Sequence, residues 1–114
     1  MLEAPMLRGI IPFFSTWAST LFNTGASKSF ISEHFASMLH LPVEVLHTPI
    51  VIDAPGQNKF CVDRVCRACE LVIANQSFVF DFIIFAMLGF DLIVGIDWLS
   101  HFRAHIDCDK DVFS

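Results

Sequence analysis

The chain has 114 residues and a formal net charge of −5, and it contains no run of lysines or arginines. This balance argues against non-specific nucleic-acid binding, which depends on neutralising phosphates. Hydrophobic residues make up 54% of the chain and 13 residues are Phe. An apolar fraction this high favours burial against a second copy of the chain, with a Phe-rich core as the alternative.

The most apolar span, residues 78–99, is long enough to cross a bilayer, but it includes three aspartates and two glycines. Carboxylates are costly at membrane depth, so the span predicts buried strands and no membrane partner. The first 14 residues contain an early glutamate and no small-residue cleavage site, unlike a signal peptide. We therefore expect an intracellular, cytoplasmic protein with a single domain over residues 1–114.

The four cysteines include the pair Cys66-x-x-Cys69, which invites a zinc or redox interpretation. Strand alternation would place these two side chains on opposite faces of the sheet, which is poor geometry for one metal. We therefore expect reduced thiols, no metal and no other cofactor.

Apolar runs predict the first elements. Residues 9–14 and 17–22 read as two strands joined by a turn at 15–16. The stretch 23–26, Asn-Thr-Gly-Ala, follows the second strand as a tight loop, which Gly25 permits.

The spacing of apolar residues changes after this loop and predicts a helix that begins at Ser29 and ends at Pro42. One helical face would carry four apolar residues, namely Ile31, Phe35, Met38 and Leu39.

The second half of the chain reads mainly as strands. Residues 50–53, 59–74 and 77–85 are predicted strands, separated by turns at 54–58 and 75–76. A loop at 88–90, a buried strand at 91–95, a short helix at 96–102 and a last strand at 104–108 complete the chain. The sum is a mostly β fold with one clear helix and one short C-terminal helix, in a closed, barrel-like sheet.

Three blocks carry a resemblance to a known family. They are "TLFNTGASKSFISEHFASMLHLP", the Pro55-Gly56 hairpin and "FDLIVGIDWLSHFRAHIDC". In this order and spacing, over residues 9–108, the chain resembles the retropepsin-like aspartic protease domain of plant gypsy-class retrotransposon polyproteins. The likeness departs from the family at Asn23, where the family has its catalytic aspartate.

The resemblance implies a closed β-barrel that works as a homodimer, with the site on the two-fold axis and an extended polypeptide as substrate. Asn23 would occupy the catalytic position, with Thr24 and Gly25 in the supporting loop. Substrate would contact four further residues, Ala26, Ala54, Pro55 and Gly56. Five residues would support the site from beneath, with Asp97 as a hydrogen-bonding partner: Leu92, Ile93, Val94, Gly95 and Asp97.

An amide at position 23 predicts a catalytically silent aspartic endopeptidase, because asparagine cannot take a proton from water near neutral pH. Two alternatives stay open: a non-catalytic peptide-binding or dimerisation module on the same fold, and a cysteine-based metal or redox domain. Lys28, two residues beyond Ala26, would either touch substrate or face solvent, and we expect solvent.

Overall fold

A computed structural model describes residues 6–53 and 59–108 of the chain. Over these residues the strands are β1 (Met6–Phe13), β2 (Thr16–Asn23), β3 (Phe30–Ser32), β4 (Glu44–Asp53), β5 (Lys59–Ile73), β6 (Gln76–Phe85) and β7 (Leu92–Val94). The helices are α1 (Glu33–Met38) and α2 (Ile96–Cys108). Neither of these helices has the length and apolar character needed to cross a membrane.

The seven described strands form one sheet in the order β1-β2-β7-β3-β6-β5-β4. The β2–β7 and β3–β6 pairs are parallel, and the remaining neighbours are antiparallel. A further pair, Phe13 with Leu71, joins β1 to β5. The prediction of a mostly β fold with two helices is confirmed, and closure of the sheet into a barrel stays a prediction.

Two tight hairpins lie one residue earlier than predicted. The β1–β2 turn uses residues 14–15, and the β5–β6 turn uses residues 74–75. Phe14, Ala74 and Asn75 have φ angles of 54°, 53° and 62°. Two-residue hairpin loops of this kind favour positive φ. Of the three residues only Asn75 is of a type that commonly adopts positive φ, so the other two could not be anticipated from residue type.

Helix α1 begins later than predicted because residues 30–32 form strand β3, paired with both β6 and β7. Ser32 is therefore the N-cap in place of Ser29, and its Oγ accepts a hydrogen bond from the Phe35 N–H at 2.9 Å. The helix also ends earlier, at Met38, which is 57% exposed and not part of the core.

The C-terminal end of α1 is closed by its own backbone. The His40 N–H donates to the Ser37 carbonyl, and the Leu41 N–H donates to the Ala36 carbonyl, both at 3.1 Å. His40 has φ of 54°. These are the features of a Schellman motif, which ends the helix before Pro42 is reached.

Helix α2 replaces the predicted short helix and last strand. It runs without a break from Ile96 to Cys108, so the strand expected at 104–108 is wrong. No glycine or proline interrupts these residues, and the helix continues for that reason. Trp98 is fully buried, stacks on Phe102 at 4.8 Å between ring centroids, and meets Phe78 edge-on.

The expectation that Cys66 and Cys69 point to opposite faces is also wrong. Each side chain is 1% exposed, and both lie in the main core. A β-bulge between them shifts the register of β5 against β6. The extra residue changes the alternation of side chains, so that both thiols turn inward.

Among the described residues the core consists of two clusters. The larger one centres on Phe13, Phe82 and Trp98. The smaller one contains Phe30, Val65 and Ile83, with partly buried side chains from β4 packed against it. Because Phe30 directly precedes Ile31 on β3 and follows the 23–28 loop, this smaller cluster sets where that loop lies relative to β4.

Candidate active-site loop and cleft

Strand β2 ends at Asn23, and the side chain of this residue closes the turn that follows. The Gly25 N–H donates to Asn23 Oδ1 at 2.8 Å, and the Ala26 N–H donates to the Asn23 carbonyl at 3.1 Å. Asparagine favours such turns because its short side chain reaches its own backbone two residues on. The half-buried Asn23 therefore holds the loop in shape through its amide oxygen.

Gly95 lies directly beneath this loop. A Cβ on Gly95 would lie 2.2 Å from the Lys28 carbonyl oxygen and 2.7 Å from the Ala26 carbonyl oxygen. The Ile96 N–H donates to the same Ala26 oxygen at 2.7 Å. The close approach of two backbone segments requires a residue without a side chain, which accounts for the glycine that ends the buried strand.

Strand β7 brings Gly95 to this place by pairing in parallel with β2. Thr20 lies opposite Leu92, and Phe22 lies opposite Val94. Leu92 and Val94 are fully buried in the main core. The loop after β2 and the turn after β7 therefore leave the sheet side by side.

Asp97 joins the far end of the loop to this turn. Its Oδ1 accepts from Ser29 Oγ at 2.7 Å and its Oδ2 accepts from the Ser29 N–H at 3.2 Å. Ser29 Oγ in turn accepts from the Gly95 N–H at 2.9 Å. We call these contacts among Asp97, Ser29 and Gly95 the Asp97 clamp. Ser29 is 1% exposed, so the clamp is largely shielded from water.

Sequence reasoning missed Ser29 as a site residue and assigned it to a helix cap. Its partners Gly95 and Asp97 are 66 and 68 residues away in the chain. A pattern within one short stretch of sequence cannot predict a contact over such a distance in the chain. The serine in the first block and the Gly-Ile-Asp in the third are a signal only when the two segments are known to meet.

A cleft of about 470 Å³ opens between the loop and β4. The loop side contributes Asn23, Gly25 and Lys28 among its lining residues, and β4 contributes Val51 and Ile52. Ala26, Ser27 and Phe30 complete the described lining. The cleft therefore combines apolar walls, exposed peptide groups and one lysine, and none of its described lining residues is a carboxylate.

The structure brings some of the predicted site residues together and leaves others apart. Asn23, Gly25 and Ala26 line the cleft, whereas Thr24 is exposed and is not part of the described lining. Lys28, expected to face solvent instead of touching substrate, is exposed and also lines the cleft. The predicted flap residues Ala54, Pro55 and Gly56 lie outside the described residues.

The support predicted beneath the loop comprises residues with different surroundings. Leu92 and Val94 lie in the main core, while Ile93 is half-buried and packs against the smaller cluster. Gly95 contacts Ser29 through its backbone N–H, and Asp97 contacts Ser29 through its carboxylate, as described above. Over the part of the chain that the structure describes, no group of three or more His, Cys, Asp or Glu side chains could hold a metal ion.

Comparisons with known proteins agree with this geometry. The family model described as "Retroviral aspartyl protease" matches residues 3–113. A search of curated proteins finds no match.

Two solved structures share the fold. The EIAV protease complexed with the inhibitor HBY-793 is 15% identical and has a TM-score of 0.67, with 87% of this chain and 89% of that chain covered. The retroviral protease-like domain of Ddi1 from Leishmania major is 17% identical and has a TM-score of 0.61, with 90% and 78% covered.

Proposed function

The chain belongs to the retroviral aspartyl protease family, and we propose that it is a polyprotein-processing aspartic endopeptidase domain silenced by Asn23. The observation that carries the proposal is the position of Asn23. It ends β2 at the mouth of the cleft, and its amide oxygen shapes the loop. The plant gypsy-class relationship, the intracellular location and the single domain over residues 1–114 belong to the same proposal.

The site is complete only in a homodimer, in which each copy places residue 23 at the two-fold axis. Two aspartates held close at such a site cannot both ionise, so they share one proton. The ionised carboxylate takes a proton from water, and the protonated one donates to the scissile carbonyl. The water oxygen then bonds to the carbonyl carbon. In the following step the carboxyl that took the proton from water gives it to the peptide nitrogen as the C–N bond breaks.

Two asparagines at the axis cannot perform these transfers. An amide donates and accepts hydrogen bonds, but it neither gains nor loses a proton near neutral pH. General acid–base catalysis supplies a factor of about 10²–10⁴, and both partners of the pair are lost together. The remaining cleft residues offer no replacement, since the described lining contains no carboxylate.

Peptide binding does not depend on the lost carboxylates. Strand β4, at the end of the sheet order, brings Val51 and Ile52 to the cleft opposite the loop. An extended peptide lying there would make main-chain hydrogen bonds as an added strand. Its apolar side chains would contact β4 and Phe30.

The second candidate is a non-catalytic peptide-binding or dimerisation module on the same fold. The hydrogen bond from the Gly25 N–H to Asn23 Oδ1 favours it, because the amide holds the loop with the same acceptor geometry that a carboxylate oxygen would use. A domain retained for binding would tolerate, and even require, an uncharged residue here. The two candidates differ in what happens when the carboxylate is returned.

The test compares peptide cleavage by the original chain, Asn23→Asp and Asn23→Ala, using a library of mixed apolar peptides at mildly acidic pH. We expect cleavage by Asn23→Asp alone, with a pH profile typical of two coupled carboxyls. Asn23→Ala is the matched control, since it removes the amide without adding a carboxylate. Sedimentation analysis of the three proteins reports whether each forms a dimer.

The results of these experiments distinguish a silenced protease from a non-catalytic binding module. Cleavage that appears only with Asn23→Asp supports a silenced protease. Peptide binding by all dimeric variants without cleavage by any supports the binding module. Cleavage by the original chain that co-purifies with it would show that the assignment of Asn23 to the catalytic position is wrong.

A further inference from the structure

The proposed function leaves the two buried thiols of β5 without a role. Cys66 lies opposite Phe82 on β6, and Cys69 lies opposite Phe80. Three residue steps on β5 thus correspond to two on β6, as in a β-bulge with one extra residue. Cys69 Sγ lies 3.6 Å from the Cys66 carbonyl oxygen, to which it donates. The bulge therefore folds the second thiol back onto the first residue of the pair.

Backbone geometry and surface contacts hold this bulge in place. Ala68 has φ of 56°, an uncommon conformation for a residue with a side chain. Its N–H donates to Asp81 Oδ1 at 2.8 Å. Arg67 Nη1 donates to Asp81 Oδ2 at 3.1 Å, and Arg67 Nε donates to Glu44 Oε1 at 2.9 Å. We call these contacts among Ala68, Asp81, Arg67 and Glu44 the Asp81 clamp.

The residues of the Asp81 clamp are exposed to solvent, and the two thiols next to them in the chain are buried. Arg67 and Ala68 are exposed, while the cysteines on either side of them are buried. The side chains of Arg67, Glu44 and Asp81 are 50%, 52% and 51% exposed. Ion pairs so open to water contribute little to stability. Local opening of the bulge therefore loses these weak surface contacts and the packing of two small thiols, without unfolding of the sheet.

We propose that Cys66 and Cys69 form a thiol-oxidation site, at which a low-molecular-weight disulfide converts the two thiols into an intramolecular disulfide across the bulge. The two residues are close in the chain and already in contact through Cys69 Sγ and the Cys66 carbonyl. Opening at Arg67 and Ala68 admits the reagent, and reclosure brings the second sulfur to the first.

The reaction balances in two exchange steps. The Cys66 thiolate attacks one sulfur of the reagent, its S–S bond breaks, and one thiolate leaves and takes up a proton. Cys69 then loses its proton and attacks Cys66 Sγ, which releases the second reagent thiol. The two protein sulfurs are oxidised, and the reagent disulfide is reduced to two thiols.

The order of attack follows from the hydrogen bond that holds the Cys69 proton, since Cys69 Sγ donates to the Cys66 carbonyl oxygen. A hydrogen bond from Cys69 lowers the pKa of Cys66, despite the opposing effect of burial, and Arg64 adds to the lowering. The same hydrogen bond, together with burial, raises the pKa of Cys69. The thiolate is the nucleophile in exchange, so Cys66 attacks first and Cys69 resolves.

Cys61 provides an internal comparison. It is exposed on the same strand, and Val51 is its partner across the sheet. A reagent disulfide reaches it without any opening, so it should stop at a mixed disulfide. Cys66 and Cys69 should instead lose the reagent and keep only the bond between them.

The experiment uses the full chain, folded, and incubated with oxidised glutathione. Arg67 lies between the two cysteines, so trypsin separates residues 65–67 from residues 68–103 in the reduced protein. After oxidation we expect these two peptides to remain joined until a reductant is added. Circular dichroism before and after oxidation establishes that the sheet stays folded during the reaction.

Variants test the chemistry and the cover separately. In Cys69→Ser we expect glutathione to remain on Cys66, because the resolving thiol is missing. In Asp81→Asn we expect the joined peptides to form several-fold faster, because the Asp81 clamp is weakened. Asp63→Asn is the matched control, an equivalent change at an exposed position of β5 outside the bulge, and should leave the rate unchanged.

Three results would overturn the proposal. The first is separation of the two peptides after oxidation with both thiols free, while Cys61 carries glutathione. Glutathione on Cys66 of the unaltered chain, without closure, would show that the thiols do not pair. Equal rates in Asp81→Asn and Asp63→Asn would show that the clamp does not control access.

Discussion

Two aspartates hold two irregular backbone segments in this molecule, and they do so in different surroundings. Asp97 accepts from the Ser29 N–H at 3.2 Å and anchors the loop that begins at Asn23. Asp81 accepts from the Ala68 N–H at 2.8 Å and anchors the bulge of β5. Asp97 is half-buried and its partner Ser29 is 1% exposed, whereas the Asp81 side chain is 51% exposed and its partner Ala68 is exposed.

The difference in exposure predicts a difference in function. Water can replace the partners of an exposed carboxylate, so losing them costs little. A buried hydroxyl or N–H that loses its acceptor stays unsatisfied, at a cost of about 1–3 kcal/mol. The Asp97 clamp therefore fixes the loop that lines the cleft, while the Asp81 clamp allows the bulge to open. Four predictions test this contrast.

The largest effect is expected at Gly95, the backbone part of the Asp97 clamp. In Gly95→Ala the new methyl group would lie 2.2 Å from the Lys28 carbonyl oxygen. Because the obstacle is backbone and not the end of a flexible side chain, the two segments must move apart. We expect a loss of about 3 kcal/mol in the free energy of unfolding, measured by urea denaturation.

Gly9→Ala is the matched control. A Cβ at Gly9 would meet only Phe22 Cε2, at 3.4 Å. We expect a change within about 0.5 kcal/mol. If the two variants unfold at the same urea concentration, the close approach beneath the loop does not constrain the fold.

The next effect separates the two clamps directly. Asp97→Asn places an amide NH₂ against either the Ser29 N–H, which donates to Oδ2, or the Trp98 N–H, which donates to Oδ1, so one donor faces another. We expect a loss of about 2 kcal/mol. Asp81→Asn makes the same chemical change at the exposed clamp and should cost under about 1 kcal/mol. Urea denaturation of both variants against the unaltered chain measures the two losses.

Equal losses in the two variants would contradict the contrast drawn from burial. Ser29→Ala serves as a further check, since it removes the hydroxyl that links Asp97 Oδ1 to the Gly95 N–H. Combined with Asp97→Asn it should cost less than the sum of the single losses, because both changes break one network.

Much of the fold could be predicted from local sequence. The β1–β2 and β5–β6 hairpins follow from apolar runs and turn residues, and the loop at Asn23 follows from Asn-Thr-Gly. The predictions are wrong where contacts with residues distant in the chain determine the secondary structure. Residues 30–32 share the helical spacing of apolar residues with α1, which follows them. They nevertheless form β3, because β6 and β7 pair with them.

The candidate site shows the same limit. A motif can indicate Asn23 and Gly95, because each residue type has a local reason to be there. Ser29 and the inward turn of Cys69 have none. The first depends on Asp97, 68 residues away, and the second on a bulge held by Asp81, 13 residues beyond Ala68. Contacts across the sheet leave no periodic signal in either segment.

A smaller effect is expected at Lys28, which belongs to the loop that the Asp97 clamp holds. It is the one ionisable side chain among the described residues that line the cleft. Because the Asp97 clamp holds the loop in place, the lysine stays beside the cleft. Peptides that carry an acidic residue beside apolar ones should therefore bind better than purely apolar peptides. We expect a two- to fivefold preference, about 0.5–1 kcal/mol, measured by fluorescence anisotropy.

Two substitutions that remove or reverse the charge of Lys28 serve as controls for this prediction. Lys28→Met should abolish the preference, and Lys28→Glu should invert it in favour of basic peptides. The chain as given is suited to the measurement, because a silent site leaves the peptides intact. Binding that is unchanged across the series would show that Lys28 does not contact the peptide, without bearing on the role of Asn23.

The smallest effect is expected from the Asp81 clamp itself, as a dependence on pH. The hydrogen bond from Arg67 lowers the pKa of Glu44 below its ordinary value of 4.5. A carboxylate with a lowered folded pKa stabilises the fold above its unfolded pKa, and this contribution is lost as the pH falls through the folded value. Arg67→Gln should therefore lower Tm slightly at about pH 7, and the difference should shrink as the pH falls through the folded pKa of Glu44.

Salt separates this contribution from packing of the arginine stem. A concentration of about 1 M NaCl screens exposed charges, so it should remove the difference between Arg67→Gln and the unaltered chain at neutral pH. A difference in Tm that persists at low pH and in high salt would mean that the Arg67 stem, and not its charge, covers the bulge. The thiols beneath would then be protected by apolar contact, and their oxidation rate should be insensitive to salt.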